Sequence, residues 1–213
     1  MKPLLLLLLS LLLKLPATGP PAVRVAFSPL TKVAYLAAAK GAIVTKPVVA
    51  FPVKKTRGRI VIPTAKGPTV FKDNDADEEN PDWEKFTYQG YLPKFECHLI
   101  LHNHYEWSQY ILVDKSGRKT EISGMVVYSP DLRSFVAISG GVESAMYPNS
   151  IQLFRFESHH WREVWKIEPS VDPATWEPDE IHWLSNSTLL LKKKMWTGKN
   201  PGTIFTYAKL TIR

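Results

Sequence analysis

Val126-Val-Tyr-Ser-Pro-Asp131 runs into Phe135-Val-Ala-Ile138, and the same plan returns as Ile181-His-Trp-Leu-Ser-Asn186 running into Leu189-Leu-Leu191. Each unit is an apolar strand ending in an aromatic, then a Ser–Asp or Ser–Asn turn, then a second apolar strand. Asp131 and Asn186 belong to the turns, where a short polar side chain can bond backbone groups. A poorer third copy begins at Tyr88-Gln-Gly-Tyr91, with residues 96–102 as its partner strand. Spacings of about 37–55 residues, about four strands each, are propeller-blade size.

Working outward, short β-patterned runs recur along the chain. Residues 59–62 and 69–71 flank a Lys66-Gly67-Pro68 turn. Residues 96–102, 109–114, 119–122, 125–128, 135–139, 151–156, 163–167, 181–184, 188–191 and 204–207 continue the series, with turns every 8–12 residues. The expected fold is all-β: short antiparallel strands in propeller-blade-like repeats, forming a partial or small propeller, with a β-sandwich as the alternative. Residues 73–213 form the β-rich domain. Residues 23–72 are a basic lead-in with a few strands, and residues 1–22 read as a signal peptide. Lys2, the run from Leu4 to Leu13 and the small residues Ala17, Gly19 and Ala22 support that last assignment. It implies a secreted or periplasmic protein with no transmembrane segment in the mature chain.

Several motifs then carry a resemblance. Residues 127–138 resemble the Ser-Pro-Asp turn repeat of β-propellers such as the periplasmic Tol-system propeller. Phe71-Lys-Asp73, Tyr88-Gln-Gly-Tyr91, Tyr105-Glu106, Val113-Asp-Lys-Ser-Gly-Arg-Lys119 and Ser129-Pro-Asp131 together resemble an uncharacterised, exported bacterial family of β-propeller-like proteins. The resemblance implies a fold more than an activity. Three blades are too few for the usual closed ring of four to eight. Residues 23–72 therefore supply missing strands, or the fold is an open or sandwich-like stack.

Charge is unevenly placed. Residues 1–72 contain no Asp or Glu and twelve Lys or Arg, whereas all twenty acids and all seven Trp follow. Such asymmetry fits docking of the two parts on each other, or a polyanion site in residues 24–72. The bases are scattered singly, and nucleic acid is not an expected partner. A lone cysteine, Cys97, excludes an internal disulfide framework and any multi-cysteine zinc site.

Three groups of residues carry candidate chemistry. In an extended strand Glu96, His98, His102 and His104 share one face, so His98, His102 and His104 could hold zinc or copper. Asp73, Asp75, Asp77 and Glu84 occupy positions 1, 3, 5 and 12 of a calcium loop, but Glu78 stands where the turn needs Gly. Trp107, Trp161 and Trp176 fall near turns, where they could line a ligand surface. No residue set has the spacing of a catalytic motif; His159, His160, Glu163 and His182 are the acid–base candidates. The expected function is a non-enzymatic exported binding or scaffold module for a protein or an envelope polymer. The alternatives are a metal-dependent hydrolase near His98 and His102, and a polyanion binder.

Overall fold

The structure is a computed structural model, and it describes residues 22–74, 76–140, 149–169, 176–197 and 202–213. The signal-peptide segment 1–21 lies outside the described residues. The fold is all-β. Three consecutive four-stranded antiparallel sheets fill most of it. Sheet I is β4 (Glu84–Leu92), β5 (Cys97–His104), β6 (Ser108–Asp114) and β7 (Lys119–Ile122) in that order. Sheet II is β8 (Met125–Tyr128), β9 (Ser134–Ser139), β10 (Ser150–Glu157) and β11 (His160–Ile167). Sheet III is β12 (Glu177–Ser185), β13 (Thr188–Trp196) and β14 (Thr203–Ile212), completed by β1 (Val25–Leu30). A separate hairpin joins β2 (Arg59–Ile62) to β3 (Thr69–Lys72).

Alternation along each strand explains the stacking. In β9, Phe135 and Ala137 point to a core shared with Leu92, Phe95, Cys97 and Leu112 of sheet I. Val136 and Ile138, one residue out of phase, point to a core shared with Ile181, Trp183, Leu189 and Leu210 of sheet III. Sheet II is thus the middle layer, which is why its strand β9 carries a continuous apolar run from Phe135 to Ile138. The other face of sheet I is covered by the β2–β3 hairpin, whose Ile60, Ile62 and Phe71 meet Phe86, Ile100 and Ile111.

Residues 23–72 are woven into this stack. Strand β1 pairs with β14 from Val25–Ile212 to Leu30–Tyr207. Thr31 then caps α1 (Lys32–Ala39), its hydroxyl accepting from the Ala34 N–H at 3.1 Å. Tyr35 is the buried residue of this helix, packed on Tyr207 with ring centroids 4.7 Å apart. The helix and β1 were not expected from the sequence. Their apolar residues are small or interrupted by Pro29, and neither shows a clean period.

Beyond the helix, residues 43–50 run extended across the first strands of all three sheets. Ile43 bridges Trp183, Thr45 bridges Tyr128, and Ala50 bridges Tyr91. Those three aromatics are the strand-end aromatics of the sequence repeat. The Ile43 N–H donates to Trp183 O at 2.8 Å, while Ala50 and Tyr91 exchange bonds of 2.9 and 2.7 Å. Gly90 makes the last contact feasible. It sits at φ +125° in a bulge of β4, with Ala50 O 3.1 Å from where a Cβ would lie and Val49 closer still. Tyr88-Gln-Gly-Tyr91 is therefore strand with a bulge.

The two repeat turns also meet. The Asp131 N–H donates to Asn186 Oδ1 at 3.1 Å, and the Trp183 indole N–H donates to Val127 O at 2.9 Å. Within its own turn Asp131 Oδ1 accepts from the Ser129 hydroxyl at 2.7 Å and the Arg133 N–H at 3.0 Å.

Gly90→Ala forces a side chain into Val49 at a backbone angle that disfavours one. It should cost about 2 kcal/mol of stability in urea unfolding. Gly67→Ala, at φ +103° with no neighbour in reach, is the control for backbone strain alone. An equal loss in both variants would deny the 43–50 contact any special role.

Candidate metal centre

Register places this site. Glu84 is directly opposite His104 across the β4–β5 ladder, and Phe86 is opposite His102. Alternation keeps all four on the face turned toward the hairpin. Asn74 fixes the start of β4: its Oδ1 accepts from the Glu84 N–H at 3.1 Å, and its own N–H donates to Glu84 O at 3.3 Å. At the other end, the tight turn after β5 closes with the His104 N–H donating to Trp107 O at 2.7 Å. That turn folds the Trp107 indole flat on the His104 ring, with centroids 3.7 Å apart and planes 18° apart. Phe86 stacks on the other imidazole, His102, at 4.1 Å.

The result is a group of ligating atoms from Glu84, His102 and His104 that lie within 4.8 Å of one another. It is the one such group of three among the described residues. His102 Nε2 is 3.6 Å from Glu84 Oε1, and His104 Nδ1 is 3.7 Å from the same oxygen. The remaining nitrogens, His102 Nδ1 and His104 Nε2, are 3.2 Å apart and share a hydrogen bond. His102 is 8% exposed, and its Nε2 has no hydrogen-bond partner. Burial, helped by His104 and opposed by Glu84, pushes the His102 imidazole from its ordinary 6.5 down to about 4. Burial lowers His104 as well. The group opens onto a depression of about 530 Å³, also walled by Phe71, Trp107 and Lys119.

His98 is on the same face of β5 but four residues from His102, about 13 Å along a strand. Its Nδ1 is 2.9 Å from the Tyr88 hydroxyl, and its ring packs on Tyr91. Glu96 leaves the strand face altogether, at φ +49°, and pairs with Lys115 at 2.9 Å. So the structure joins His102 and His104 to Glu84, which the sequence had placed with the acidic loop. Sequence spacing holds no trace of that partnership, because it arises between strands.

Among the described residues the carboxylates of Asp73, Asp77 and Glu84 do not form a close ligand group of their own. Asp73 Oδ1 accepts from the Phe86 N–H at 2.9 Å, and Oδ2 pairs with Lys55 at 2.5 Å. Asp73, Asp77 and Glu84 line one polar depression with Arg57, and Asp75 lies outside the described residues. Of the tryptophans, Trp107 walls the histidine group. Trp161 is 5% exposed in the core, edge-on to Phe95 at 4.8 Å. Trp176 lines a shallow depression on sheet III, with Lys193 5.2 Å from its ring. The acid–base candidates do not converge either. Glu163 accepts from the Gln152 amide at 2.6 Å, His159 faces Glu96, and His182 faces Glu180. Cys97 is buried, and that burial, partly offset by Trp161, pushes its thiol up to about 12.

Comparison of the chain with protein families, with curated proteins and with solved structures gives no match. No helix among the described residues is long and apolar enough to cross a membrane.

Two outcomes follow from the burial of these groups. Because His102 takes up a proton less readily folded than unfolded, stability should fall as pH drops below about 6.5 and level off below about 4. The loss at pH 5 is about 2 kcal/mol. Urea titrations of wild type and His102→Phe at pH 7.5 and pH 5 check this, since the variant should lack that share of the fall. Iodoacetamide should label Cys97 only after unfolding; fast labelling of the native protein would contradict its burial.

Proposed function

We propose that this protein is an exported, secreted or periplasmic, β-module that binds a divalent transition metal through Glu84, His102 and His104. The observation carrying this is the facing of His102 Nε2 and His104 Nδ1 on one carboxylate oxygen. The bond between their other nitrogens uses one ring proton. Of two neutral imidazoles, just one can then direct an N–H at Glu84; the other directs a bare lone pair at a carboxylate. A second proton would relieve the conflict, but burial resists it. A dication bound by both inner nitrogens removes the conflict at Glu84.

Tetrahedral zinc with bonds of about 2.1 Å sets its ligand atoms about 3.4 Å apart. The separations of 3.6 and 3.7 Å are close to that, although the two rings must turn so that their outer nitrogens move apart. With the ion bound, both outer nitrogens carry protons, so the imidazole–imidazole bond is given up. Two nitrogens and one oxygen suit zinc, copper or nickel better than calcium. The partner of the module, a protein or an envelope polymer, would meet it at the aromatic wall formed by Trp107.

One observation favours a second reading. Three protein ligands leave a coordination position open to the depression, as in zinc hydrolases that activate a bound water. Glu121 lines the same depression and is the base that this reading assigns. The polyanion reading of residues 24–72 draws less support, because Lys55 is engaged by Asp73 and the Phe86 carbonyl.

Isothermal titration of the metal-free protein with zinc should give one site. His102→Ala, His104→Ala or Glu84→Gln should each weaken it by about a hundredfold. His98→Ala should leave it unchanged. Absence of zinc uptake, or uptake indifferent to His102→Ala, would overturn the proposal.

A further inference from the structure

We infer that the open face of the metal centre takes a small oxyanion, a carboxylate or a phosphate, held between the metal and Lys119 with Lys72 behind it. This rests on the metal-binding reading above. Both lysines line the depression into which Glu84, His102 and His104 project. Among the described residues neither has a carboxylate within ion-pair distance. Lys119 is instead held over the Phe71 ring, its ammonium 4.6 Å from the centroid. That contact keeps the charge on the wall of the depression.

The charges complete the argument. Glu84 and Glu121 balance Lys72 and Lys119, so a bound dication leaves the depression with about two uncompensated positive charges. Two imidazoles and a single carboxylate do not neutralise the metal, so its open position favours an anionic oxygen over a neutral one. A second oxygen of the same group can then accept from the Lys119 ammonium, a charge-assisted bond. Phe71 and Trp107 give the walls an apolar face that excludes some of the competing water. Before metal loading the same lysines work against cation entry, so removing Lys119 should weaken anion binding without weakening metal binding.

The test uses the cobalt(II)-loaded protein, whose visible absorption reports changes in coordination. Oxalate and inorganic phosphate are the probes. Either anion should shift the spectrum saturably, and whichever binds more tightly names the class. Lys119→Gln should weaken that anion about tenfold, the loss of one charge-assisted bond. Cobalt affinity in that variant should be equal or higher. Lys46→Gln, remote from the site, should change neither. Normal cobalt binding with a spectrum silent to both anions would overturn the inference and leave the metal-binding reading standing. So would an equal response in wild type and Lys119→Gln. Failure to bind cobalt would instead remove the metal-binding reading, and this inference with it.

Discussion

The hydrogen bonds from residues 43–50 to the first strand of each sheet hold this architecture together. A sheet edge is a row of unpaired backbone groups, and β4, β8 and β12 are each one of the two edges of their sheets. One extended segment reaches all of them, at Tyr91, Tyr128 and Trp183. It also spans from the helix on sheet III to the hairpin on sheet I. The amino-terminal third is therefore a strap and a completing strand, and its lack of acids suits a segment that lies across an acidic remainder. Lys55 paired with Asp73 is the clearest instance of that complementarity.

The strap has a second consequence at the candidate site. Its passage past Gly90 goes with a bulge between Tyr88 and Gly90 in β4. Beyond the bulge the ladder runs in regular register from Tyr88 to Glu84. That register sets Glu84 opposite His104 and Phe86 opposite His102. The hairpin then buries the same face with Ile60, Ile62 and Phe71, which removes water from His102. Buried imidazoles that cannot easily gain protons, facing a carboxylate, form a site of unmet electrostatic demand. Lys72 and Lys119 line the same depression as these groups.

Much of the fold was legible because its signals are local. The strands at Arg59–Ile62, Lys119–Ile122 and Met125–Tyr128 fall where alternation and turn residues put them. The hairpin between β10 and β11 turns at Ser158 and His159, both with positive φ, as a two-residue turn requires. His102 and His104 were visible as a pair because a strand has period two. Trp161 looked like a turn aromatic, but sits one residue inside its strand on the buried face, a matter of phase that only packing fixes.

By itself, the sequence determined the strand pattern, the repeated turn, the faces of β5 and the chemistry available on them, since each depends on residues close in the chain. Only the tertiary structure decided that Glu84 joins His102 and His104, that His98 bonds Tyr88 instead, and that Cys97 and Trp161 are sealed in the core. Those outcomes depend on which strands pair, in what register, and which faces are covered. Pairing is set by contacts between distant residues and by the path of the 43–50 strap, and neither leaves a periodic mark in the sequence.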